Sequence, residues 1–533
     1  MLFHTWPFLV FLLVVLPGFY ALRGTRLWMP WLTAASYFFY GWWNPYYLIL
    51  VVYSTALDFS LVALMDHCPR DPAPGELGSR RARVWGGDPL LRNAFVATLI
   101  AAAITLGGVP FAPASVRPSL VVLALLLSLM CLGAFRQSRR VWLFISLFNN
   151  LALLLFFKYA GFLVENLNGL LSWSHVGGRI PSPSTLMPFG AAYILPVGIS
   201  FFTFQSMSYT IDFYLGKVGR ERSFLRFATF VCFFPQLMAG PIERARHLLP
   251  QFQQFPPFRL DRFTDGLSLF LVGLFKKVAL ANYLAVYVDR VYERPETQGG
   301  ADLLVASMAF GWQIFFDFSG YTDMARGVAR LLGFDLALNF NNPYLATSLG
   351  EFWQRWHISL SSWFRDYVYI PLGGNRGGPL RTHLNLLVTF LVSGIWHGAS
   401  WTFVIWGVLH GLGVMATRGL EHSARYRERV PTLVKRAGVF LFVALTWVFF
   451  RAESLPEALR ILRKILSGPW TTPGIPVLMV ILVVLTWAYQ SACESRFRPI
   501  LQLGWVRVGL AVSMLLYLCL CSSGGAGFIY FQF

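Results

Sequence analysis

Two histidines stand in surroundings where an imidazole is costly to keep. His397 lies in SGIWHGASW at 393–401, inside an apolar run that opens at Leu384 and closes near Leu412, with no charged residue nearby in sequence. His357 lies in WQRWHISLSSW at 353–363, beside Arg355 and just before Arg365 and Asp366. A third stretch, WQIFFDFSGYTD at 312–323, carries Asp317 and Asp323, separated by Ser319, Gly320 and Tyr321. Ionisable groups at membrane depth are expensive and by default mark a pathway or a site. The plainer alternative is a neutral histidine bonded to a carbonyl of a neighbouring helix, and an aspartate satisfied by Arg326 or Arg330. From the residues alone both stay open. His383 and His410 fall in the same neighbourhood, but HxxxH or HxxE metal spacing is missing. His410, beside glycines in WGVLHG, reads as a helix-packing residue supporting the others.

The elements that must position these groups are membrane helices. Of 533 residues 56% are hydrophobic and only 13% charged, with a mean hydropathy of +0.55. Soluble domains carry about 25% charged residues. Runs such as LVVLALLLSLMCL at 120–132 do not alternate as the strands of a β-barrel would. The fold class expected is therefore all-α, a polytopic helical bundle formed as one domain over 1–533, with broken or re-entrant helices around a central tunnel. The formal charge of +19 sits in short clusters between apolar runs. Such clusters mark cytoplasmic loops and attract anionic lipid headgroups, which argues against nucleic-acid binding. Six cysteines form no CxxC pair with a histidine at zinc spacing, so no metal site is expected. The apolar stretch at 8–20 lacks a preceding basic region and a following small-residue cleavage site, and reads as a first membrane helix.

Candidate spans fall at 5–22, 29–43, 46–65, 93–110, 118–135, 141–157, 190–212, 225–240, 263–289, 301–318, 351–371, 383–399, 401–417, 437–450, 473–490 and 505–522. The block from 190 to about 418 is the expected catalytic core, followed by C-terminal helices at 437–533. Within it, 190–380 is interrupted by proline and glycine, as in FFPQLMAGPI at 233–242 and YIPLGGNRGG at 369–378. Irregular backbone survives at membrane depth only when buried in protein or lining a wet cavity. Arg23 and Arg26 follow the first span, Arg70, Arg80, Arg81, Arg83 and Arg92 the third, and Arg136, Arg139 and Arg140 the fifth. The turns at 43–45 and 110–118 hold only Arg117, so the N-terminus is expected outside.

These segments closely resemble the membrane-bound O-acyltransferases, specifically the bacterial branch around the alginate O-acetyltransferase membrane subunit. The likeness is carried, in order, by FFPQLMAGPIERA, FFDFSGYTDMARG, NFNNPY, FWQRWHISLSSWFRDYVYIPLGGNRGG, SGIWHGASW and the terminal FIYFQF. The resemblance implies that His397 is the family's near-universal histidine and His357 its second catalytic position. Other branches often carry Asn at the second position, so His357 favours the polysaccharide and D-alanyl-transfer side. Asp317, Ser319, Asp323 and Trp353 are expected to bind substrate or support the site. The same holds for Arg355, Arg365, Asn375 and Trp396.

The implied chemistry is transfer from a cytoplasmic acyl thioester, such as acetyl-CoA, to hydroxyls of an extracytoplasmic polysaccharide, through an extracytoplasmic partner protein. No bound cofactor is expected; the thioester is a substrate. A near-neutral imidazole suits removal of the hydroxyl proton, and a cation, backbone N–H or second histidine suits the oxyanion. With no G-x-S-x-G elbow and no cysteine in either histidine stretch, direct base catalysis is expected over an enzyme-bound ester. The expected location is the bacterial inner membrane. The alternatives are transfer to peptidoglycan, cellulose or teichoic acid, or a transporter without covalent chemistry. Transporters tend to place broken helices in corresponding positions of two halves; here the breaks fall in one central block. A structural scaffold would leave both histidines unexplained.

Overall fold

The computed structural model describes residues 1–69, 89–108, 117–136, 138–175, 178–187, 193–470 and 473–521. Most of the basic loop at 68–89, the turn at 109–116 and the terminal FIYFQF lie outside the described residues. Among the described residues every regular element is helical. Six helices are long and apolar enough to cross a membrane: Pro45–Asp66, Arg139–Trp173, Leu260–Tyr292, Gly300–Leu331, Trp401–His422 and Thr432–Arg451. The chain is a polytopic helical membrane protein.

It divides into two compact units. One comprises Leu22–Met238 and Arg244–Phe255. Its helices are knitted by buried polar groups where hydrocarbon offers no other partner. Thr33 and Thr229 share a 2.6 Å hydroxyl contact. Asp58, fully buried on Leu48–Asp66, accepts from the Ser146 hydroxyl at 2.6 Å and the Asn150 amide at 3.0 Å. The span expected at 190–212 begins as a helix only at Ile199, after Gly198 turns the backbone with φ 76. A β-carbon at Gly198 would lie 2.7 Å from the Leu237 carbonyl, so only glycine fits that close, left-handed position. The span expected at 225–240 likewise stops at Cys232, before the Pro/Gly-rich turn.

The other unit comprises Met1–Ala21, Ala239–Glu243 and Pro256–Phe533. At its centre runs Gly300–Leu331, whose most apolar window is 83% buried, so this helix is wrapped by protein rather than lipid. Leu260–Phe275 packs on it backbone to backbone. A β-carbon at Gly273 would meet the Gly320 carbonyl at 2.5 Å, and one at Gly327 the Gly266 carbonyl at 2.7 Å. Small residues at such crossings let helix backbones approach closely. The Leu260–Phe275 helix then widens into a π-turn, Lys276–Ala281, before continuing as Asn282–Tyr292.

The span expected at 351–371 is not one helix. It is two seven-residue helices, Leu349–Arg355 and Ile358–Phe364, followed by a π-turn, Arg365–Tyr369. The amphipathic helix Leu455–Ser467 was not among the expected spans; it packs Ala458, Ile461 and Ile465 into the core and leaves Arg460 and Arg463 exposed.

Candidate active site

The first histidine segment is set by local capping. Ser348 accepts from the Glu351 N–H at 3.2 Å, and Glu351 accepts from the Thr347 N–H at 2.7 Å, a reciprocal cap that starts the Leu349–Arg355 helix. The helix stops at once, because His357 takes the left-handed conformation with φ 42. That conformation is uncommon for any residue but glycine, and persists where the surroundings over-determine it. Here a neighbouring extended segment straps the break. The Asn341 N–H donates to the Arg355 carbonyl at 2.9 Å, and the Ile358 N–H to the Asn339 carbonyl at 2.9 Å. The Asn339 side-chain oxygen takes the His357 Nδ1 at 3.0 Å, the Ser359 N–H at 3.2 Å and the Ser359 hydroxyl at 3.0 Å.

The second histidine closes a helix. Pro379–His397 and Trp401–His422 form a hairpin whose backbones touch: a β-carbon at Gly394 would lie 2.4 Å from the Phe403 carbonyl, and one at Gly407 2.4 Å from the Phe390 carbonyl. Ser400 caps the second helix through the Thr402 N–H. The tight turn holds the His397 ring 4.8 Å from Trp406 and 5.4 Å from Phe450. His397 Nδ1 lies 2.7 Å from the Ser393 carbonyl. A carbonyl only accepts, so Nδ1 carries the proton and Nε2 the lone pair.

Both imidazoles are buried, His357 at 0% and His397 at 4% exposure. The Trp396 indole packs edge-on to both, 6.3 Å from the His357 ring and 5.0 Å from that of His397. Phe318, next to Asp317 on the central helix, covers another face of His357 at 4.7 Å. Trp353 joins the same aromatic cluster through Trp406 at 5.7 Å and His410 at 5.1 Å. His410 packs as expected, its Nε2 on the Thr446 hydroxyl at 2.9 Å.

The remaining expected site residues are placed less uniformly. Asp317 is ion-paired with Lys277 of the π-turn at 2.7 Å. Asp323 pairs with Lys276 at 2.7 Å and Arg326 at 3.5 Å. Ser319 is buried on the same helix. Arg355 is taken by Glu351 at 2.9 Å and Glu494 at 2.7 Å. Asn375 is exposed and accepts from the Tyr369 hydroxyl. Arg365, paired with Asp366 at 2.9 Å, lines an apolar cleft of about 200 Å³. Trp353, Phe364, Phe390 and Ser393 line it too, and the Ser393 carbonyl bears on His397. Asn339, Ser359 and Lys277 escaped sequence reasoning. Asn339 stood inside the NFNNPY block, but nothing local tells that its amide faces a residue farther along the chain.

The fold defines a class, polytopic helical membrane proteins, and this one gathers two buried histidines on one indole. The family model for "MBOAT, membrane-bound O-acyltransferase family" matches residues 202–455, which enclose both histidines and Asn339. A "Probable alginate O-acetylase" of Azotobacter vinelandii is 42% identical over 341 residues, 64% of this chain and 66% of that protein. One of Pseudomonas putida is 37% identical over 431 residues, 75% of this chain and 86% of the relative. A "Peptidoglycan O-acetyltransferase" of Helicobacter pylori is 39% identical over 355 residues, 61% and 64% of the two chains. The chain belongs to the membrane-bound O-acyltransferase family. It is accordingly an O-acyltransferase, which sets aside the transporter and scaffold alternatives.

Proposed function

We propose that this enzyme moves an acetyl group from a cytoplasmic thioester, acetyl-CoA, towards hydroxyls of an extracytoplasmic polysaccharide such as alginate, handing it on through an extracytoplasmic partner protein. The observation that carries this reading is the pair of buried imidazoles on the Trp396 indole, each with Nδ1 held by an oxygen. Each then offers Nε2 as its basic nitrogen, the arrangement a general base requires.

In this reading one Nε2 takes the hydroxyl proton as the oxygen attacks the thioester carbonyl. The new C–O bond forms and the carbonyl π pair moves onto oxygen. The second imidazole donates to that oxyanion only when it carries a proton on Nε2 as well as Nδ1, so the reading requires one of the pair to be protonated as the donor binds. Collapse breaks the C–S bond, and the leaving thiolate takes the proton from the first imidazolium. The aromatic surround keeps bulk water, a competing nucleophile, from the thioester. Arg365 at the open cleft is the expected site residue best placed to meet an anionic portion of the donor. The protein is read as an inner-membrane protein with its N-terminus outside.

The test is reconstitution of the full chain in proteoliposomes with acetyl-CoA and alginate oligosaccharides, scoring ester formed and CoA released. Thioester turnover that depends on both histidines supports the reading; turnover unchanged without them defeats it. A peptidoglycan acceptor is the second reading, favoured by the Helicobacter relative. Ester on glycan strands and not on alginate selects it.

A further inference from the structure

We propose that Asn339 is a positioning residue for His357, fixing the imidazole with its proton on Nδ1 and its lone pair on Nε2. The inference rests on the proposed catalytic use of His357 and names the residue that makes that use possible.

Asn339 is 1% exposed, so its amide has no exchangeable solvent partner to compete for it. Which amide atom faces His357 follows from the donors around it. The Ser359 backbone N–H, 3.2 Å away, can only donate, so the atom it meets is oxygen. The Ser359 hydroxyl accepts from the Ile242 N–H at 3.0 Å, which turns its own proton onto the same Asn339 oxygen at 3.0 Å. With that oxygen accepting only, His357 Nδ1 at 3.0 Å must be the donor. The direction of every bond in the chain Ile242, Ser359, Asn339, His357 is thereby determined.

The backbone locks the same geometry. The Asn339 carbonyl accepts from Ile358 N–H at 2.9 Å, immediately after the left-handed His357. Asn339 therefore grips the break by main chain and side chain together. This links three sequence blocks that have no evident relation in the chain: the turn containing Ile242, NFNNPY, and WHIS. When His357 takes up a proton on Nε2, the same oxygen remains as acceptor for Nδ1–H. The network serves both protonation states without rearrangement, as orienting partners of working histidines do.

Two measurements test this. The first needs no substrate: the ¹⁵N spectrum of ¹⁵N-histidine-labelled full-length protein in proteoliposomes, with His357 assigned by the signal lost in His357→Gln. Wild type should show a single neutral His357 tautomer protonated at Nδ1, and Asn339→Leu should show a mixture or the Nε2–H form. A mixed tautomer in wild type overturns the proposal even if acetyl transfer from this donor is never observed. The second is kinetic, with acetyl-CoA turnover. Asn339→Leu should lower kcat about 10- to 100-fold, as orienting partners typically do, with KM nearly unchanged. Asn339→Asp, which keeps an acceptor oxygen, should restore most of the loss, and Asn339→Leu should add nothing in a His357→Ala background. A Leu variant with wild-type kcat, an Asp variant no better than Leu, or an equal loss without His357 refutes a positioning role. If no variant or wild type turns over acetyl-CoA, the donor assignment fails while the tautomer measurement still decides Asn339.

Discussion

The Nδ1 of His397 stands 2.7 Å from the carbonyl of Ser393, one turn earlier on the same helix. The imidazole is thus oriented by its own helix, donating to the carbonyl one turn earlier, whose second lone pair is open to it. His397→Ala should therefore cost little structure, about 1–3 kcal/mol for a lost buried hydrogen bond. Acetyl transfer should fall by about 10²- to 10⁴-fold, the usual worth of a general base. Normal polymer O-acetylation by that variant would remove His397 from the chemistry. Groups acting as a unit are non-additive, so His357→Ala with His397→Ala should be scarcely slower than the worse single variant.

The Lys277–Asp317 pair makes a different forecast. Its charges are 2.7 Å apart with both side chains 3% exposed. Removing one partner strands the other, which typically costs about 3–5 kcal/mol, whereas replacing both by apolar residues is often neutral. Lys277→Met alone should lower the thermal midpoint in detergent sharply. Lys277→Met with Asp317→Leu should recover most of it. A single variant as stable as wild type would show that the pair does not hold the π-turn to the central helix.

Gly394 tests whether the histidine hairpin depends on backbone contact. Its absent β-carbon would sit 2.4 Å from the Phe403 carbonyl, so Gly394→Ala must push the two helices apart. A cost of about 1–3 kcal/mol is expected for such overpacking, with activity lost as His397 shifts. Gly419, on the second helix of the same hairpin, has nothing within 4 Å of its β-carbon position. Gly419→Ala should be neutral or slightly stabilising, by up to about 1 kcal/mol from helix propensity. Equal effects at the two positions would refute the packing account.

Orientation is open to labelling. Thr25, in the loop with Arg23 and Arg26, and Tyr46, at the start of the span that follows the turn without a basic residue, are both exposed. With the N-terminus outside, a cysteine replacing Thr25 should be shielded from an impermeant thiol reagent in intact cells, and one replacing Tyr46 should react. The reverse pattern would invert the topology and leave the enzyme assignment standing.

By itself the sequence determined the class of the molecule. Long apolar runs with few charges leave hydrogen-bonded helices as the only way to satisfy the backbone in lipid, and the histidines stood out because hydrocarbon makes an imidazole conspicuous. Helix starts at Leu349 and Trp401 are set by the local caps Ser348 and Ser400, a signal that lies within a few residues of sequence. The expected span at 301–318 covers only the apolar first part of the helix Gly300–Leu331; the second part carries Asp323, Arg326 and Arg330, and Asp323 is met by Lys276 from another helix at 2.7 Å.

Tertiary structure alone decided the rest. That 351–371 breaks at His357 depends on Asn339 holding a left-handed residue in place, and no local propensity encodes such a strap. Arg355 looked like a site cation beside His357, yet Glu351 and Glu494 claim it. The Nδ1 tautomers and the shared Trp396 face are likewise products of packing. Charge pairing and imidazole orientation depend on partners brought together by the fold, and a one-dimensional pattern carries no distance between them.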